Sequence, residues 1–282
     1  MDDAPKALSG LESMVMRIVR ETPVTDMHTH LFAPAFGALN LWELDDLLTY
    51  HYLTAETMRG SALPYDAFWS LSKREQADHI WQELFLRRSP ISEASSGLLY
   101  VLRGLGLDTS SRELETYRAA WRRWQAEAHA DQVLGAARVR DLVMTNDPFD
   151  DAERKVWEAG NGCKDKRYHA ALRTDPLLND WPTAAAKLQA LGYEVTEEWT
   201  ERTRDETRRF LREWIGRMDA LYLAVSMPGD FAYPAADHRT RMIDEAMVPV
   251  CREAGIPFAL MIGVRRGVNP GLRLAGDMSM RS

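Results

Sequence analysis

The chain has 282 residues, of which 45% are hydrophobic and 27% charged, a composition that supports a folded core and excludes a disordered or fibrous protein. Its net charge of −7 argues against broad nucleic-acid binding, which needs a basic face to displace counterions from phosphates. The longest late apolar stretch, residues 258–264, is far too short to cross a membrane, so we expect a small-molecule or protein partner.

The ends and the cysteines of the chain indicate where it resides. The N-terminus is acidic and lacks the features of a signal peptide. Only two cysteines occur, Cys163 and Cys251, and they lack metal-binding or redox spacing. We therefore expect a cytoplasmic protein with free thiols.

The first elements predicted along the chain are a helix and a buried strand. Apolar residues recur at three- and four-residue steps from Leu11 to Ile18, a spacing typical of an amphipathic helix, and Pro23 ends the segment. Residues 24–30 then alternate in polarity and run into a polar loop. This stretch is the predicted first strand of the core.

A long helical stretch separates this strand from the others. Residues 41–140 carry apolar side chains at helical spacing, with few β-branched residues. Short apolar runs follow, each ending in a polar loop and separated from the next by helical segments; they lie at residues 141–145, 168–172, 221–226 and 258–264. Buried strands that alternate with helices predict a parallel sheet in an α/β fold.

Polar residues at the strand ends favour a (β/α)8 TIM-barrel-like fold over an open sheet. Neither a dinucleotide-binding nor a nucleotide-triphosphate-binding glycine loop follows any predicted strand. Only five strands are found where a barrel needs eight, so we expect the barrel to be incomplete in this chain, with the other strands in a part of the gene product outside it. The predicted units are 1–36 (first helix and strand), 37–140 (helical insertion) and 141–282 (further β/α units).

The segment Asp26-Met27-His28-Thr29-His30 is the sharpest local motif. Residues two apart on a strand point to the same side, so His28 and His30 can share one metal ion, with Asp26 further back on that side. A pair of exposed or hydrogen-bonded histidines at a strand end is the alternative. The motif predicts a candidate zinc or other divalent-metal site.

The sequence TDMHTHL followed by a long helical insertion resembles the amidohydrolase superfamily and, within it, the uronate isomerase (glucuronate isomerase) family. Three further segments resemble that family in chain order: His51-Tyr52 with Arg59, Thr145-Asn146-Asp147-Pro148 with Asp150, and Leu172-Arg173-Thr174-Asp175. Weaker agreement continues at Gly263, Arg266, Asn269, Gly276 and Asp277. The resemblance spans about residues 20 to 277.

The chain departs from this family at two points. Met261 stands where the family has a strand-borne histidine, and a thioether is a poor ligand for a hard or borderline divalent ion. The aspartate and arginine that the family carries on its last barrel strand have no match in these 282 residues. We therefore expect weak metal binding or none.

The resemblance implies an isomerase of carbohydrate metabolism that interconverts the aldose and ketose forms of a sugar acid, such as D-glucuronate and D-fructuronate, by proton transfer between C1 and C2. The implied catalytic residues are Tyr52, His28 and His30, and the implied substrate-binding residues are Arg173, Arg59, Asn146 and Asp147. Arg173 suits the substrate carboxylate, because a guanidinium can bind it through two parallel hydrogen bonds.

Structural roles remain open for several of these residues. The segment NDPFDD is also typical of a turn that caps a helix beginning near Asp151. Arg173 could brace a loop, Tyr52 could pack at an interface, and Arg59 could be a solvated helix residue. These alternatives need no substrate at all.

Two other functions stay open at this stage. A metal-dependent hydrolase would use His28 and His30 to activate water. A truncated homologue without catalysis would fold and associate only. If these 282 residues are the whole protein, we expect an unpaired strand edge at the end of residues 258–264, which predicts a homo-oligomer or aggregation.

Overall fold

The computed structural model describes residues 10–162 and 164–279. Of the two cysteines, Cys163 lies outside the described residues. Cys251 is buried and free, and burial raises the pKa of its thiol to about 11. None of the described helices is both long and apolar enough to span a membrane.

The main sheet contains five parallel strands in the order β1-β2-β3-β4-β5. Their bounds are β1 Val24–Thr29, β2 Val139–Asn146, β3 Tyr168–Arg173, β4 Leu223–Met227 and β5 Phe258–Ile262. All five match the short apolar runs of the sequence, so the predicted parallel sheet is confirmed. Two short strands, β6 Val264–Arg265 and β7 Met278–Ser279, pair separately and antiparallel.

Helices precede β1 and fill the chain between β1 and β2. Helix α1 spans Gly10–Glu21, and a 3-10 segment spans Pro34–Leu39. The helices between the two strands are α2 Leu44–Leu48, α3 His51–Met58, α4 Tyr65–Ser70, α5 Lys73–Trp81, α6 Glu93–Gly104, α7 Leu114–Trp121 and α8 Ala126–Ala137. They share a core of their own around Phe68, Ile80 and Tyr117.

The later helices follow β2 to β5. They are α9 Asp151–Glu158, α10 Asp175–Asn179, α11 Trp181–Ala190, α12 Glu201–Met218, α13 His238–Met242 and α14 Val248–Ala254, with a 3-10 segment at Pro270–Gly276. Side chains cap helices in both groups: Ser72 caps the start of α5, Asp150 that of α9 and Thr200 that of α12. Each accepts a hydrogen bond from a backbone N–H of the first turn.

The sheet has a large apolar side and a small one. Phe210, Leu172 and Met247 belong to the main core, which packs strands against the later helices. A much smaller cluster around Tyr222 contains mainly short side chains, including Ala171 and Ala224. Small residues leave room on this second side, which is concave, and the sheet forms part of a barrel wall. The structure thus confirms an α/β half-barrel.

Both edges of the sheet are accessible. Strand β1 forms one edge and β5 the other, and most residues of β1 are exposed. The expected edge strand within residues 258–264 is therefore present as β5.

The predicted helix α1 also forms. None of its residues is buried against the described part of the chain, and Leu11 is 66% exposed.

Candidate active site

The carboxyl ends of β2, β3, β4 and β5 meet at one rim of the sheet. A cavity of about 950 Å³ opens there, and its walls include Asp147 after β2, Arg173 of β3, Ser226 of β4 and Arg266 after β5. Arg173 Nη2 lies 3.2 Å from Ser226 Oγ. This is the face at which barrel folds build their sites.

His28 and His30 lie at the end of β1 and do not line this cavity, although the charge of its wall residue Arg173 contributes to the lowered pKa of both imidazoles. Their ring centroids are 5.6 Å apart and the rings are nearly perpendicular. Tyr222 Oη lies 3.5 Å from His28 Nδ1, and Thr145 Oγ1 lies 3.5 Å from His30 Nδ1. Thr145 of the neighbouring strand β2 thus contacts one imidazole, and Tyr222, which immediately precedes β4, contacts the other.

Desolvation lowers the pKa of both imidazoles. For His28 the next cause is the positive charge of Arg173, and for His30 it is the charge of His28. Both rings are therefore neutral at neutral pH, and a neutral imidazole has one bare nitrogen that can accept a proton or bind a metal.

The two histidines supply only part of a metal site. Two imidazoles bound to one tetrahedral zinc have ring centroids about 5 Å apart, so the observed 5.6 Å is compatible with a shared ion. Within residues 10–162 and 164–279, however, no third histidine, cysteine or carboxylate joins them to form a metal-binding group. Catalytic zinc sites use three protein ligands, so the donors described here do not complete one.

Arg173 reaches the cavity but already holds a carboxylate. Its Nε and Nη2 donate to the two carboxylate oxygens of Asp175 at 3.0 and 2.8 Å. Arg266 approaches the same carboxylate at 3.5 Å. A substrate carboxylate bound by Arg173 would thus share the guanidinium group with Asp175. The Arg-x-Asp spacing in the sequence could have indicated this ion pair.

Asn146 does not line the cavity, and its role in substrate binding stays a prediction. It is fully buried, and its Nδ2 donates to Glu153 Oε2 of α9 at 2.9 Å. Because side chains alternate along a strand, Thr145 faces His30 whereas Asn146 faces the helix layer. This hydrogen bond joins β2 to α9.

Asp147 is part of the cavity wall. Its backbone N–H donates to Glu153 Oε2 at 3.0 Å, and its Oδ1 accepts from the N–H of Phe149 at 2.8 Å. Asp150 caps α9, so the alternative structural role predicted for this loop applies to that residue. One loop therefore supplies both a site wall and a helix cap.

One carboxyl group of this loop and one in the first turn of α9 have strongly raised pKa values. Burial raises the pKa of Asp147 to about 6 and that of Glu153 to about 7. Sequence reasoning missed Glu153, although an acid at the third position of a capped helix is a recognisable capping signal. Here it binds the end of the preceding strand instead.

Tyr52 lies on α3 and Arg59 directly follows it, and neither lines the large cavity. Tyr52 is 63% exposed, and its ring centroid lies 4.1 Å from that of His51. The charge of His51 contributes to the lowered pKa of His30, which places the start of α3 near the histidines. Arg59 is exposed at the other end of α3, and neither residue lines the cavity.

Comparison with solved structures decides the family. The chain matches a uronate isomerase from Bacillus halodurans C-125 over 98% of its own length and 66% of that chain, with 49% identity and a TM-score of 0.93. This chain belongs to the uronate isomerase family. It spans just under two thirds of the length of that relative.

A second match concerns the fold alone. A glucuronate isomerase from Caulobacter crescentus aligns with 95% of this chain and 64% of its own, at 16% identity and a TM-score of 0.65. No family model matches the chain, and the search of curated proteins returns no match. The half-barrel is thus an architecture shared with two solved isomerases.

Proposed function

We propose that this chain carries the sugar-acid-binding part of an amidohydrolase-type uronate isomerase, which interconverts D-glucuronate and D-fructuronate by proton transfer between C1 and C2. The observation that carries the proposal is the 49% identity to a uronate isomerase across 98% of the chain. The placement of His28, His30 and Arg173 at one rim supports it.

The charged groups of the cavity suit a sugar acid. Arg173 is aligned by Asp175, and Arg266, with 58% of its side chain exposed, stands at the same carboxylate. Together they can hold the carboxylate of the substrate between two guanidinium groups. Asp147, in the cavity wall, is a hydrogen-bond partner for sugar hydroxyls.

Proton transfer falls to the groups near β1 and α3. A neutral His28 or His30 can accept the proton that leaves carbon, and its lowered pKa keeps the bare nitrogen available at neutral pH. Tyr52, the second residue of α3, is the proposed donor to the carbonyl oxygen. Such a donor must approach the substrate closely, since its phenol is a weak acid.

Binding tests the proposal directly. Titration calorimetry of the 282-residue chain with D-glucuronate should show binding, whereas D-glucose, which lacks the carboxylate, should bind at least about tenfold more weakly because a charged hydrogen-bonded pair is lost. Arg173→Met should weaken glucuronate binding to a similar extent. Arg140→Met, at the opposite end of the sheet, is the matched control and should leave it unchanged.

Turnover is measured separately by proton NMR of the sugar. Because the family's late aspartate and arginine have no match here, we expect binding without turnover by this chain. Joined to the part of the Bacillus halodurans enzyme that it does not match, the chain should isomerise glucuronate, and His30→Ala should abolish that activity. Equal binding of glucose and glucuronate, or an inactive fusion, would contradict the proposal.

A further inference from the structure

The hydroxyl of Tyr222 contacts two groups of β1 at once. Its oxygen lies 2.6 Å from the carbonyl oxygen of Met27 and 3.5 Å from Nδ1 of the next residue, His28. A phenol has one hydrogen to donate and a carbonyl oxygen can only accept, so the much shorter contact takes that hydrogen. The phenol oxygen then offers only lone pairs to His28, and Nδ1 of that ring must carry the hydrogen between them.

Thr145 of β2 repeats this arrangement at the second histidine. Its Oγ1 donates to the carbonyl oxygen of Thr29 at 3.2 Å and lies 3.5 Å from Nδ1 of the next residue, His30. Tyr222 immediately precedes β4, so the two hydroxyls come from separate parts of the sheet. In both cases a hydroxyl that donates to the carbonyl oxygen before a histidine can only accept from Nδ1 of that histidine.

The position of Tyr222 depends on the small side chains of the concave side of the sheet. Tyr222 is 8% exposed and packs with Val143, Ala171 and Ala224, which lie on three neighbouring strands. These short side chains leave space for the tyrosine ring, whose hydroxyl reaches β1 from three strands away. Because the ring is buried, its contact with His28 belongs to the core and is not made by a freely rotating surface side chain.

The other nitrogen of each imidazole is open. Among the described residues, none makes a hydrogen bond to Nε2 of His28 or His30, and both histidines are exposed. A neutral imidazole has one hydrogen for its two nitrogens, so a hydrogen on Nδ1 leaves Nε2 bare. In a charged ring Nδ1 keeps its hydrogen, and Nε2 is the nitrogen that gives up its proton.

We propose that Tyr222 and Thr145 are positioning residues, which hold both imidazoles in the Nδ1–H form and leave Nε2 of each as the nitrogen that exchanges protons. The hydrogen bond made by one ring nitrogen of a histidine determines which form the other adopts. The part of this inference that concerns catalysis rests on the proposed function, in which His28 or His30 accepts the proton that leaves carbon. Each positioning residue acts through its histidine and not on the sugar.

Nitrogen-15 NMR of the 282-residue chain, with labelled histidine rings and without sugar, tests this at a pH where the rings are neutral. The signals of His28 and His30 are assigned by their loss in His28→Asn and His30→Asn. We expect a hydrogen on Nδ1 and a bare Nε2 in both rings. His238 is an internal reference for the opposite form, because its Nε2 lies 3.2 Å from the carbonyl oxygen of Leu177 and must donate there.

Two variants each remove one hydroxyl and keep the shape of the side chain. Tyr222→Phe should lower the ratio of the Nδ1–H to the Nε2–H form of His28 by about fivefold, the effect of one lost hydrogen bond, and leave His30 unchanged. Thr145→Val should do the reverse, so each variant is the matched control for the other. A role in folding alone would leave both ratios unchanged in every folded variant.

Circular dichroism and the urea midpoint show whether each variant folds, and the unmodified chain tests the proposal even if neither does. A predominant Nε2–H form of either histidine in the unmodified chain would overturn the proposal. So would a folded Tyr222→Phe or Thr145→Val in which the ratio at its own histidine is unchanged. Failure of the chain to bind D-glucuronate would refute the proposed function and leave these sugar-free signals as they are, so the two failures are distinguishable.

Discussion

The hydroxyl of Tyr222 donates a hydrogen bond of 2.6 Å to the backbone carbonyl oxygen of Met27. Met27 belongs to β1, whereas Tyr222 immediately precedes β4, three strands away in the sheet. In a flat sheet those strands would be about 14 Å apart, beyond the reach of one tyrosine. The contact therefore requires the sheet to curve around its concave side.

Tyr222→Phe tests how much this contact contributes. We expect the free energy of unfolding to fall by about 1 kcal/mol, because the variant leaves the Met27 carbonyl without this partner while keeping the ring. Urea unfolding followed by circular dichroism measures the change. Tyr100→Phe is the control, since Tyr100 is 80% exposed, and equal stabilities of the two variants would refute the assigned role of Tyr222.

Glu153 makes the stability depend on pH. In the folded chain the pKa of Glu153 is raised from 4.5 to about 7. The folded state therefore binds this proton more tightly than the unfolded state, and the resulting stabilisation is fully present below pH 4.5 and is lost as the pH rises through 7. The loss amounts to at most about 3 kcal/mol. Glu153→Gln should remove this dependence.

The measurement compares urea unfolding of the unmodified chain and of Glu153→Gln at several pH values across that window. The difference in the free energy of unfolding between the two proteins separates the effect of Glu153 from that of Asp147, whose pKa is also raised. Glu158→Gln, an exposed residue on the same helix, should behave as the unmodified chain. A constant difference across the window would show that Glu153 ionises normally.

Arg118 binds helices α2, α5 and α7 together through buried charge. Its side chain is 7% exposed and pairs with Asp45 and Asp78. Arg118→Met should lower the free energy of unfolding by about 3 to 5 kcal/mol, because it leaves the carboxylate of Asp45 largely buried without its partner. Arg122→Met, at a side chain that is 62% exposed, should change it by less than about 1 kcal/mol.

Zinc should bind weakly at the end of β1. The described residues bring two imidazoles together there, without a third ligand. Zinc binds such an incomplete ligand set much more weakly than a set of three or four protein ligands. Titration calorimetry should show a weak signal that His28→Ala removes and that His169→Ala leaves in place. A tight, stoichiometric site lost on His28→Ala would reveal a further ligand.

The edge strand β5 should promote self-association. Ile262 is 55% exposed at this edge, where backbone N–H and C=O groups can pair with another strand. Sedimentation velocity should show oligomers or aggregates, and Ile262→Lys should reduce them because a charge disfavours edge pairing. Ile91→Lys, at an 86% exposed site away from the sheet, should not. A monomeric unmodified chain would disprove the expectation.

The sequence alone determined the strands and the rim at which they end. Apolar runs followed by polar loops identify buried parallel strands, and the spacing of His28 and His30 places them on one side of β1, because strand periodicity is a local property. The family resemblance came from the same short segments. The capping role of Asp150 was likewise among the predicted alternatives.

Tertiary structure decided which partner each polar group meets. Asn146 was expected in the site but faces Glu153, since the orientation of β2 in the sheet determines which of two alternating sides looks inward. The ring contact between Trp42 and His129 joins residues almost ninety positions apart in the sequence. The hydrogen bond from Tyr222 to Met27 spans 195 positions. Such contacts depend on the curvature of the sheet and on helix packing, which local patterns do not encode.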